Sequence, residues 1–433
     1  MRDDRTGGRD PNEKVVAQEY GASKISEKAQ NLDATAPPEY APASLSGEAG
    51  SISSRVFSSF DDVPRAWRSL IPRADLAMDP DVLRIFQRTL ADQCLCWGVI
   101  VYDHGAAIGC AALCLFQTEL AGDSHPMLTR LRDRIRRVWP GFMRVKVLFC
   151  GLPTPSGATH LRASADARHV RLLAAEVDRV MRRIARTVGA KLLVFKELEE
   201  TSGALAQALT QAGYVHGGIP PMHILNRSFK SFADYRDALR SRYRAQIQRS
   251  QKKLEAAGFE ALSGRGGAFF DAHWNDDVHR LYVAVQRRAE QKLELMPAAF
   301  FRELAHALGD EVSLTLIRRA GRVCAFTFAI TRAGTHYNLY SGLDYALNAD
   351  GDLYFNLFYC DLDQAFRSGA TSVHLGQTSD SFKSRLGSAT QPLHFFVRAR
   401  AAWQNAALRL LAPVAFPAAP SVRSQDVFAR DRR

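Results

Sequence analysis

The 433-residue sequence lacks the short motifs that identify several common enzyme classes. It contains no GxSxG nucleophile elbow, no phosphate-binding P-loop and no HExxH zinc motif, so nothing indicates serine-hydrolase, P-loop nucleotidase or zinc-protease chemistry. No CxxC pair is present, and the seven cysteines lie mostly inside apolar runs. We therefore predict no metal site, and we predict buried thiols in a reducing compartment, the cytoplasm.

Long apolar runs are also missing. No stretch reaches the roughly 18 uncharged apolar residues that a membrane span needs, and the polar N-terminus lacks the apolar core of a signal peptide. Residues 1–52 contain no Phe, Trp or Cys and are rich in Ala, Ser, Pro, Gly and Glu. Such a segment cannot bury enough apolar surface to offset its ordering entropy, so we predict a disordered leader.

Positive charge is what the chain has in excess. The formal net charge is +12, although the first fifty residues hold six Lys or Arg against nine Asp or Glu. The body is therefore more basic than the average, which favours an anionic partner: a tRNA, a coenzyme with phosphates, a nucleotide sugar or an anionic membrane surface. An Arg-rich bias of the source proteome would produce the same excess.

Alternating helical and strand patterns begin at Phe57, which is typical of an α/β protein. Apolar residues recur every three or four positions from Val170 to Val188, which places them on one helical face. For the first half we predict, in order, helices 62–70 and 80–90, strands 95–102 and 107–116, a basic helix 125–138, strand 143–150, that long helix, strand 191–197, helix 202–212 and a last strand ending at 223–226.

The second half repeats this order. We predict helices 276–291 and 297–308, strands 312–319, 322–331 and 335–342, helix 353–368, strand 371–376, a short helix 379–386 and strand 393–398. Short turns at Gly321 and Gly334 join the three strands into an antiparallel meander. A repeated series of elements indicates two similar structural units in tandem.

Five segments carry a resemblance to FemAB-like peptidyltransferases and their GNAT-type relatives. They are the basic stretch from Ser241 to Gly258, the run Tyr340-Ser-Gly-Leu-Asp344, the predicted helix from Leu353 to Phe366, the run His374-Leu-Gly-Gln377 and the run Ser381-Phe-Lys-Ser-Arg-Leu-Gly387. The resemblance covers residues 226–398 well and the first half by element order. It implies a mixed α/β fold of two tandem GNAT-like domains, each a mainly antiparallel sheet flanked by helices.

The predicted boundaries follow from this assignment. They are a leader 1–52, an N-terminal domain 53–226, a basic linker helix 227–260, a catalytic C-terminal domain 261–400, and a C-terminal helix and tail 401–433. The resemblance implies amide-forming acyl transfer. FemAB enzymes take an aminoacyl group from a charged tRNA to a peptidoglycan precursor, whereas other relatives are acyl-CoA-dependent N-acyltransferases.

The predicted donor loop departs from the pattern of GNAT enzymes. A CoA donor there meets a Gln/Arg-x-x-Gly-x-Gly/Ala loop at a helix N-terminus. Here the corresponding residues run from Asn348 through Gly351 to Leu353, with Asp350 and Asp352 placing negative charge where phosphates would lie. Asn348 and Gly351 are still our candidates for contacts with the donor phosphates, and the alternative is a turn that caps the next helix.

The resemblance places a Phe-Lys pair, here Phe382 and Lys383, at the reacting centre. The ammonium group of Lys383 would stabilise the oxyanion that develops when an amine attacks the donor carbonyl. Phe382 would shape the donor pocket, unless it belongs to the core. A solvated lysine is the ordinary alternative for Lys383.

Several polar residues are candidates for the remaining roles. The attacking amine must lose a proton, and His374 or Asp344 could serve as the general base. Tyr340, Gln377 and Asn356 are candidates for binding substrate. The alternatives are a structural histidine, a helix cap and a buried aromatic ring.

The segment 227–260 has nine Lys or Arg against four acids. Arg242, Arg249, Lys252 and Lys253 fall on overlapping faces of the predicted helix, which suits phosphates of the donor or of a tRNA. A solvated basic face is the alternative. A second basic concentration, at Arg130, Arg132, Arg134, Arg136 and Arg137, could extend the same surface.

The sequence thus predicts an N-acyltransferase that joins an acyl-CoA-like donor to an amine on a small molecule, polysaccharide or lipid-linked acceptor. No tightly bound cofactor and no DNA partner are expected, and peripheral membrane contact is allowed. One alternative is an aminoacyl-tRNA-dependent peptidyltransferase. The other is a noncatalytic RNA-binding protein on a decayed transferase fold, favoured by the net charge and the poor phosphate loop.

Overall fold

Strands from both predicted halves make one continuous sheet. The computed structural model describes residues 43–44, 52–119, 144–152, 157–199, 201, 203–288, 295–416 and 425–429. In these residues the strands are β1 (Ala43–Ser44), β2 (Ile52–Phe57), β3 (Cys94–Asp103), β4 (Ala106–Glu119), β5 (Arg144–Cys150), β6 (Leu161–Ala163), β7 (Leu192–Leu198), β8 (Val215–Leu225), β9 (Phe259–Arg265), β10 (Val312–Arg319), β11 (Arg322–Arg332), β12 (Thr335–Leu343), β13 (Ser372–His374) and β14 (Ala389–Ala399). Their spatial order is β1-β2-β3-β4-β5-β7-β14-β8-β13-β12-β11-β10-β9, and β6 pairs with β4.

Helices connect these strands. They are α1 (Arg65–Leu70), α2 (Pro80–Thr89), α3 (Ala167–Val188), α4 (Ala204–Gln211), α5 (Phe232–Ala238), α6 (Ser241–Ala256), α7 (Gly266–His273), α8 (Asp276–Arg288), α9 (Ala298–Leu308), α10 (Asn348–Gly351), α11 (Leu353–Arg367), α12 (Asp380–Arg385) and α13 (Ala402–Ala415). The long helix α3 begins where Asp166 accepts a hydrogen bond from the amide of Arg168, and it ends at Gly189 in the left-handed conformation.

The repeated order predicted from the sequence is present in the pairing of the strands. In the first half a long helix, α3, leads into β7, which pairs in parallel with β5. In the second half the corresponding helix α11 leads into β13, which pairs in parallel with β12. The other pairings in the sheet are antiparallel. The mixed α/β fold with two tandem GNAT-like halves is therefore confirmed.

The last strand of each half is exchanged with the other half. β14, from the second half, lies between β7 and β8, and it pairs antiparallel with both. β8, from the first half, lies between β14 and β13. The predicted domain boundaries stay predictions, and this exchange joins the two halves across the proposed boundary at residue 226.

Several elements were absent from the sequence prediction, namely β1, β2, β6, β9, α7 and α10. β2 has the polar sequence ISSRVF, and it becomes a strand because it pairs along its whole length with β3. β9 and α7 were likewise not expected, and the segment predicted as one linker helix contains α5, α6 and the beginning of β9. The helical conformation is interrupted between α5 and α6 at Leu239, which is extended and whose side chain is fully buried.

Other predictions fall partly or wholly outside the described residues. The leader 1–52 is described only at Ala43–Ser44 and Ile52, which belong to strands. The basic helix 125–138, with its five arginines, lies outside the described residues, as does most of the tail after residue 416. The predicted helix from Trp403 to Leu411 is present within α13. Among the described helices, none is both long enough and apolar enough to cross a membrane.

Candidate functional site

The parallel strands β12 and β13 separate after a short stretch of pairing. They are in register only from Thr335↔Ser372 to Tyr337↔His374, whereas β12 continues to Leu343. Past Tyr337, the edge of β12 that faces β13 therefore offers backbone N–H and C=O groups without a sheet partner among the described residues. Leu339 is an extra residue in β12, because the register with β11 shifts between Asn338 and Tyr340. Such a bulge redirects local backbone groups.

Lys383 lies at this opening. Its side chain is only 3% exposed, although lysine is rarely buried without a partner. A Cβ atom built on Gly376 would be 3.2 Å from the Lys383 Nζ and 4.0 Å from the carbonyl oxygen of Asn338. The absence of a side chain at Gly376 thus leaves room for the amine beside the gap between β12 and β13.

The environment of Lys383 favours its neutral form. Burial lowers the pKa of Lys383 to about 7, and the carboxylate of Asp380 opposes this shift. The Nζ atom lies 5.8 Å from the centre of the Phe358 ring on α11. At neutral pH, both the amine and the ammonium forms of Lys383 are therefore populated, which suits either proton transfer or stabilisation of negative charge.

The other half of the chain positions the helix that carries Lys383. The fully buried His223, on β8, contacts Asp380 through Nε2 at 2.9 Å and the hydroxyl of Ser388 through Nδ1 at 3.1 Å. Ser388 in turn donates to the carbonyl oxygen of Lys383 at 2.9 Å. Burial lowers the pKa of His223, with a further contribution from the charge of Lys383. The exchanged strand β8 thus fixes both ends of α12.

A buried polar network supports β12 beside its bulge. The carboxylate of Asp361, on α11, accepts hydrogen bonds from Thr327 at 2.9 Å and from the amide nitrogen of Asn338 at 2.8 Å. His336 Nε2 lies 3.2 Å from the same carboxylate. Burial alone would raise the pKa of Asp361, but these partners outweigh it and the pKa is lowered. The network holds Asn338, the residue just before the bulge.

His374 sits on the short strand β13 at the same opening. Its ring packs against Tyr337, with 4.9 Å between the ring centres. Burial lowers the pKa of His374 to about 4, and His336 contributes to the shift. Its buried Nδ1 has no hydrogen-bond partner among the described residues. A neutral imidazole with an unused nitrogen is compatible with the predicted role of a base, although the low pKa makes it a weak one.

Asp344, the other predicted base, has structural partners. Its carboxylate lies 3.0 Å from the guanidinium of Arg322 and accepts a hydrogen bond from the amide of Ala346 at 3.1 Å. Within the described part of the chain, the hydrogen bonds and ion pairs of Asp344 do not join it to Lys383 or His374. Gln377 donates a hydrogen bond to Glu197 of the first half at 3.1 Å. Gln377 thus lies at the contact between the halves, near the opening.

The predicted donor loop has contacts that leave little room for phosphates. The side chain of Asn348 accepts a hydrogen bond from the amide of Tyr354 at 2.9 Å, so it caps α11. Lys253 pairs with Asp352 at 2.7 Å, and Arg319 pairs with Asp350 at 3.3 Å. A Cβ atom at Gly351 would lie 2.7 Å from the ring of Phe259. These contacts favour the alternative that the sequence left open, a turn that caps the next helix.

Asn356, a predicted substrate contact, is 1% exposed, and its side chain forms hydrogen bonds to backbone atoms. Its amide nitrogen lies 3.0 Å from the carbonyl oxygen of Ser250 and 2.8 Å from that of Gly351. Phe382 is also buried, and its ring stacks on Phe355 at 4.7 Å. The geometry therefore favours a structural role for both residues, with Phe382 forming part of the aromatic wall beside Lys383.

Tyr340 lies on β12 just after the bulge and is partly exposed. Its ring contacts Phe301 of α9, with 5.2 Å between the centres. The four basic candidates lie together on α6 and are exposed. Three of them have partners in the protein: Arg242 packs over the ring of Tyr243, Lys253 pairs with Asp352, and Arg249 donates to the carbonyl oxygen of Ala245 on the same helix. Arg249 and Lys252 present their charge to solvent.

Sequence reasoning missed His223, Asp380 and Ser388. His223 and Asp380 are 157 positions apart, so no local pattern could have joined them. It also missed a cluster of three buried thiols, Cys94, Cys96 and Cys114, whose sulfur atoms lie within 4.8 Å of one another. Two of these thiols alternate on β3 and the third faces them from β4, an arrangement that a search for CxxC overlooks.

One known family model matches more than half of the chain. The FemAB-like family model, described as peptidoglycan biosynthesis/recognition, matches residues 148–405. No curated protein matches the chain. Among solved structures, FemX is 12% identical, with 76% of this chain and 94% of that chain covered and a TM-score of 0.46. A tandem GNAT protein from the clavulanic acid biosynthesis pathway is 12% identical over 80% of this chain and 99% of that chain, with a TM-score of 0.47. A GCN5-related N-acetyltransferase from Sphaerobacter thermophilus is 12% identical over 80% and 96%, with a TM-score of 0.39.

Proposed function

Because the chain belongs to the FemAB-like family and is thus an acyltransferase, we propose that it forms an amide by moving an acyl group from an acyl-CoA-like donor to an amine. The observation that carries this proposal is Lys383, which lies buried at the gap between β12 and β13 with a pKa lowered to about 7. A buried amine of this kind costs stability, and such groups cluster where chemistry uses them.

The proposed reaction is direct attack in a ternary complex. The amine nitrogen of the acceptor attacks the donor carbonyl carbon, negative charge develops on the carbonyl oxygen, and the bond to the leaving thiolate then breaks. The ammonium form of Lys383 stabilises that negative charge. The surplus proton of the acceptor nitrogen passes to the thiolate or to solvent, with His374 as the proposed relay. No covalent enzyme intermediate is required.

The choice of donor rests on the shape of the opening. A donor arm that contains amide groups can pair with the unpartnered edge of β12 past Tyr337, as an added strand would. For the donor phosphates we propose Arg249 and Lys252 of α6, whose side chains are exposed. The side chain of Asn348 caps α11 and the carbonyl oxygen of Gly351 accepts a hydrogen bond from Asn356, so these basic residues are preferred to the predicted loop for that role.

Transfer from an aminoacyl-tRNA remains the alternative. The exposed basic face of α6, with Arg249 and Lys252, supports it because a phosphate backbone fits such a face. This basic face is short, and three of its four candidates already have partners in the protein: Tyr243, Asp352 and the carbonyl oxygen of Ala245. The acyl-CoA-like donor is therefore preferred.

We further propose that the protein works in the cytoplasm and touches an anionic membrane surface, as a lipid-linked acceptor would require. Among the described residues, the exposed large apolar side chains are Trp403, Leu410 and Leu411, and all three are on α13. This helix contains Arg409 and no acidic residue. Apolar side chains beside a basic residue, on a chain with a net charge of +12, suit the interface of an anionic bilayer.

A noncatalytic RNA-binding role is the competing class, and Lys383 separates the two. The test is amine-dependent release of free thiol from a panel of acyl-CoAs, with the wild-type protein and the Lys383→Ala variant. The exposed Lys230→Ala variant is the control for the loss of a positive charge. We expect a loss of turnover of about 10²-fold or more in Lys383→Ala and none in the control. Turnover that survives in Lys383→Ala would refute the proposed role.

A further inference from the structure

Three thiols lie together in the apolar core at β3 and β4. Cys94 and Cys96 are two residues apart on β3, so their side chains point to the same face of the sheet, and Cys114 lies directly opposite Cys96 on β4. All three residues are at most 2% exposed. Their sulfur atoms lie within 4.8 Å of one another. The first half therefore contains a preformed group of three soft ligand atoms.

The spacing of these sulfur atoms suits one thiophilic metal ion. The Sγ atoms of Cys94 and Cys96 are 3.9 Å apart. Three sulfur atoms that surround an ion in a plane, each at a bond length of about 2.3 Å, are about 4.0 Å from one another. Small side-chain movements would therefore bring all three sulfur atoms of the cluster into contact with one ion.

The surrounding backbone holds the thiols in place. The amide of Cys94 donates to the carbonyl oxygen of Leu90, just beyond α2, at 2.9 Å, and the Cys94 thiol lies 3.5 Å from the same oxygen. The Cys114 thiol lies 3.9 Å from the carbonyl oxygen of Leu115. Ligands that are already positioned in this way lose little conformational freedom when an ion binds.

An apolar site of this kind favours an ion whose complex carries no net charge. Phe86, Leu90 and Phe116 belong to the same buried core. The charge that acts on Cys94 from outside the cluster is negative, the carboxylate of Asp92. A complex with surplus negative charge would therefore lose its solvation without gaining a cationic partner. A monovalent ion that displaces one proton to solvent, with one thiolate and two thiols as its ligands, forms a neutral complex.

Cys96 is the thiol best placed to lose that proton. Hydrogen bonds with Cys114 and Cys94 lower the pKa of Cys96 to about 5, against the effect of burial. Burial raises the pKa of Cys114 well above its usual value. The number of ligands also disfavours zinc, because structural zinc sites hold four ligands and this group of described residues offers three. Among monovalent ions, soft sulfur ligands select Cu(I).

We propose that Cys94, Cys96 and Cys114 bind one soft monovalent ion, Cu(I), in trigonal coordination by their three sulfur atoms. The ion joins β3 to β4 as a structural clamp, and its binding does not depend on the proposed acyl transfer. The absence of a CxxC pair thus does not exclude a metal site in this chain, because the third ligand comes from the neighbouring strand.

Copper binding to the full chain tests the site. The protein is produced in cells grown with added copper, so that the ion can enter the buried site during folding, and it is purified without oxygen in the presence of a reductant. We expect one Cu(I) per chain that survives competition with bicinchoninate. X-ray absorption should show three sulfur ligands at about 2.3 Å. The copper-loaded protein should also melt at a higher temperature than protein from copper-depleted medium.

Matched alanine variants identify the ligands. Cys114→Ala removes one ligand, whereas Cys110→Ala removes an equally buried thiol of the same strand that lies outside the cluster. We expect Cys114→Ala to bind Cu(I) at least about 100-fold more weakly, since loss of a ligand costs more than loss of an outer-shell partner. It should also lose the copper-dependent rise in melting temperature, and Cys110→Ala should keep both properties.

Several results would overturn the assignment. They are a wild-type protein that retains no copper, zinc bound in place of copper, nitrogen or oxygen ligands in the wild-type spectrum, or equal affinity for Cu(I) in wild type and Cys114→Ala. The spectrum of the wild-type protein decides the point even if a variant fails to fold.

Discussion

Lys383 is buried, although lysine side chains are usually exposed to solvent. Its ammonium group would be solvated on most helices, yet here it lies behind Phe358 and Phe382 with Gly376 opposite. The shifted pKa is also a statement about stability, because the unfolded chain has the ordinary pKa of about 10.5. We therefore expect the buried amine of Lys383 to lower the stability of the fold while it serves activity.

Replacement of Lys383 by Met should stabilise the fold and abolish activity. Between pH 7 and 10 the unfolded state binds a proton that the folded state lacks, so the wild-type free energy of unfolding should rise with pH, by up to about 1.4 kcal/mol per unit from this group. Lys383→Met should lack that slope and be more stable at pH 7 by about 1–4 kcal/mol. Urea unfolding at several pH values measures both, and a destabilised variant at pH 7 would contradict the account.

Replacement of Asp380 should change the pKa of Lys383. Its carboxylate raises the pKa of Lys383 against the effect of burial. Asp380→Asn should therefore move the pH at which Lys383 titrates below about 7. If the ammonium form is required, activity falls as the pH rises through that pKa, so the alkaline limb of the pH–rate profile should shift to lower pH. An alkaline limb in the same place as in wild type would show that Lys383 does not control the rate.

At the scale of elements, helix α11 is held at its first turn by side chains that look functional in the sequence. Asn356 and Asn348 satisfy backbone groups of α6, of α10 and of α11 itself. A side chain that bonds buried backbone atoms has little capacity left for a substrate.

Asn356→Leu should therefore be destabilising. The carbonyl oxygens of Ser250 and Gly351 would lose a buried donor, which costs about 1–3 kcal/mol. The KM for either substrate should remain near the wild-type value in the fraction that is folded. Chemical denaturation and steady-state kinetics together decide the point: a raised KM at unchanged stability would restore the substrate-binding role.

The sequence predicts these elements better than it predicts their neighbours. The spacing of apolar residues and the turn residues predicted the meander β10 to β12, the long helices α3 and α11, and the short helix with Lys383. These signals are local in the sequence. β2 could not be found, because its polar sequence becomes a strand only through pairing with β3. The contact of His223 with Asp380 depends on the exchange of β8 and β14, which no local pattern encodes.

For the whole molecule, the exchanged strands mean that neither half is complete alone. In a fragment of residues 227–433, β13 would lose β8, and β14 would lose both β7 and β8. Exposed edges of this length favour aggregation. We expect this fragment to be unfolded or insoluble by circular dichroism and gel filtration, and co-expression with residues 1–226 to rescue it. A soluble, folded fragment 227–433 would show that the exchange is dispensable.

The exposed face of α13 leads to a prediction about membranes. The wild-type protein should sediment with vesicles that contain anionic phosphatidylglycerol, and less with neutral phosphatidylcholine vesicles or at high salt. A variant with Trp403, Leu410 and Leu411 all replaced by Ala should lose most of this binding and keep its activity on soluble amines. Dimerisation of the wild type that the triple variant abolishes, with no vesicle binding, would assign the face to a second copy of the chain instead.

The most direct test of the central claim is the binding of acyl-CoAs and of total aminoacylated tRNA to the purified protein at low and high salt. The account predicts saturable acyl-CoA binding that resists salt, because the acyl group and the donor arm contribute contacts that are not ionic. Salt-sensitive tRNA binding that requires the aminoacyl group, without acyl-CoA binding, would contradict it and assign the protein to the tRNA-dependent peptidyltransferases.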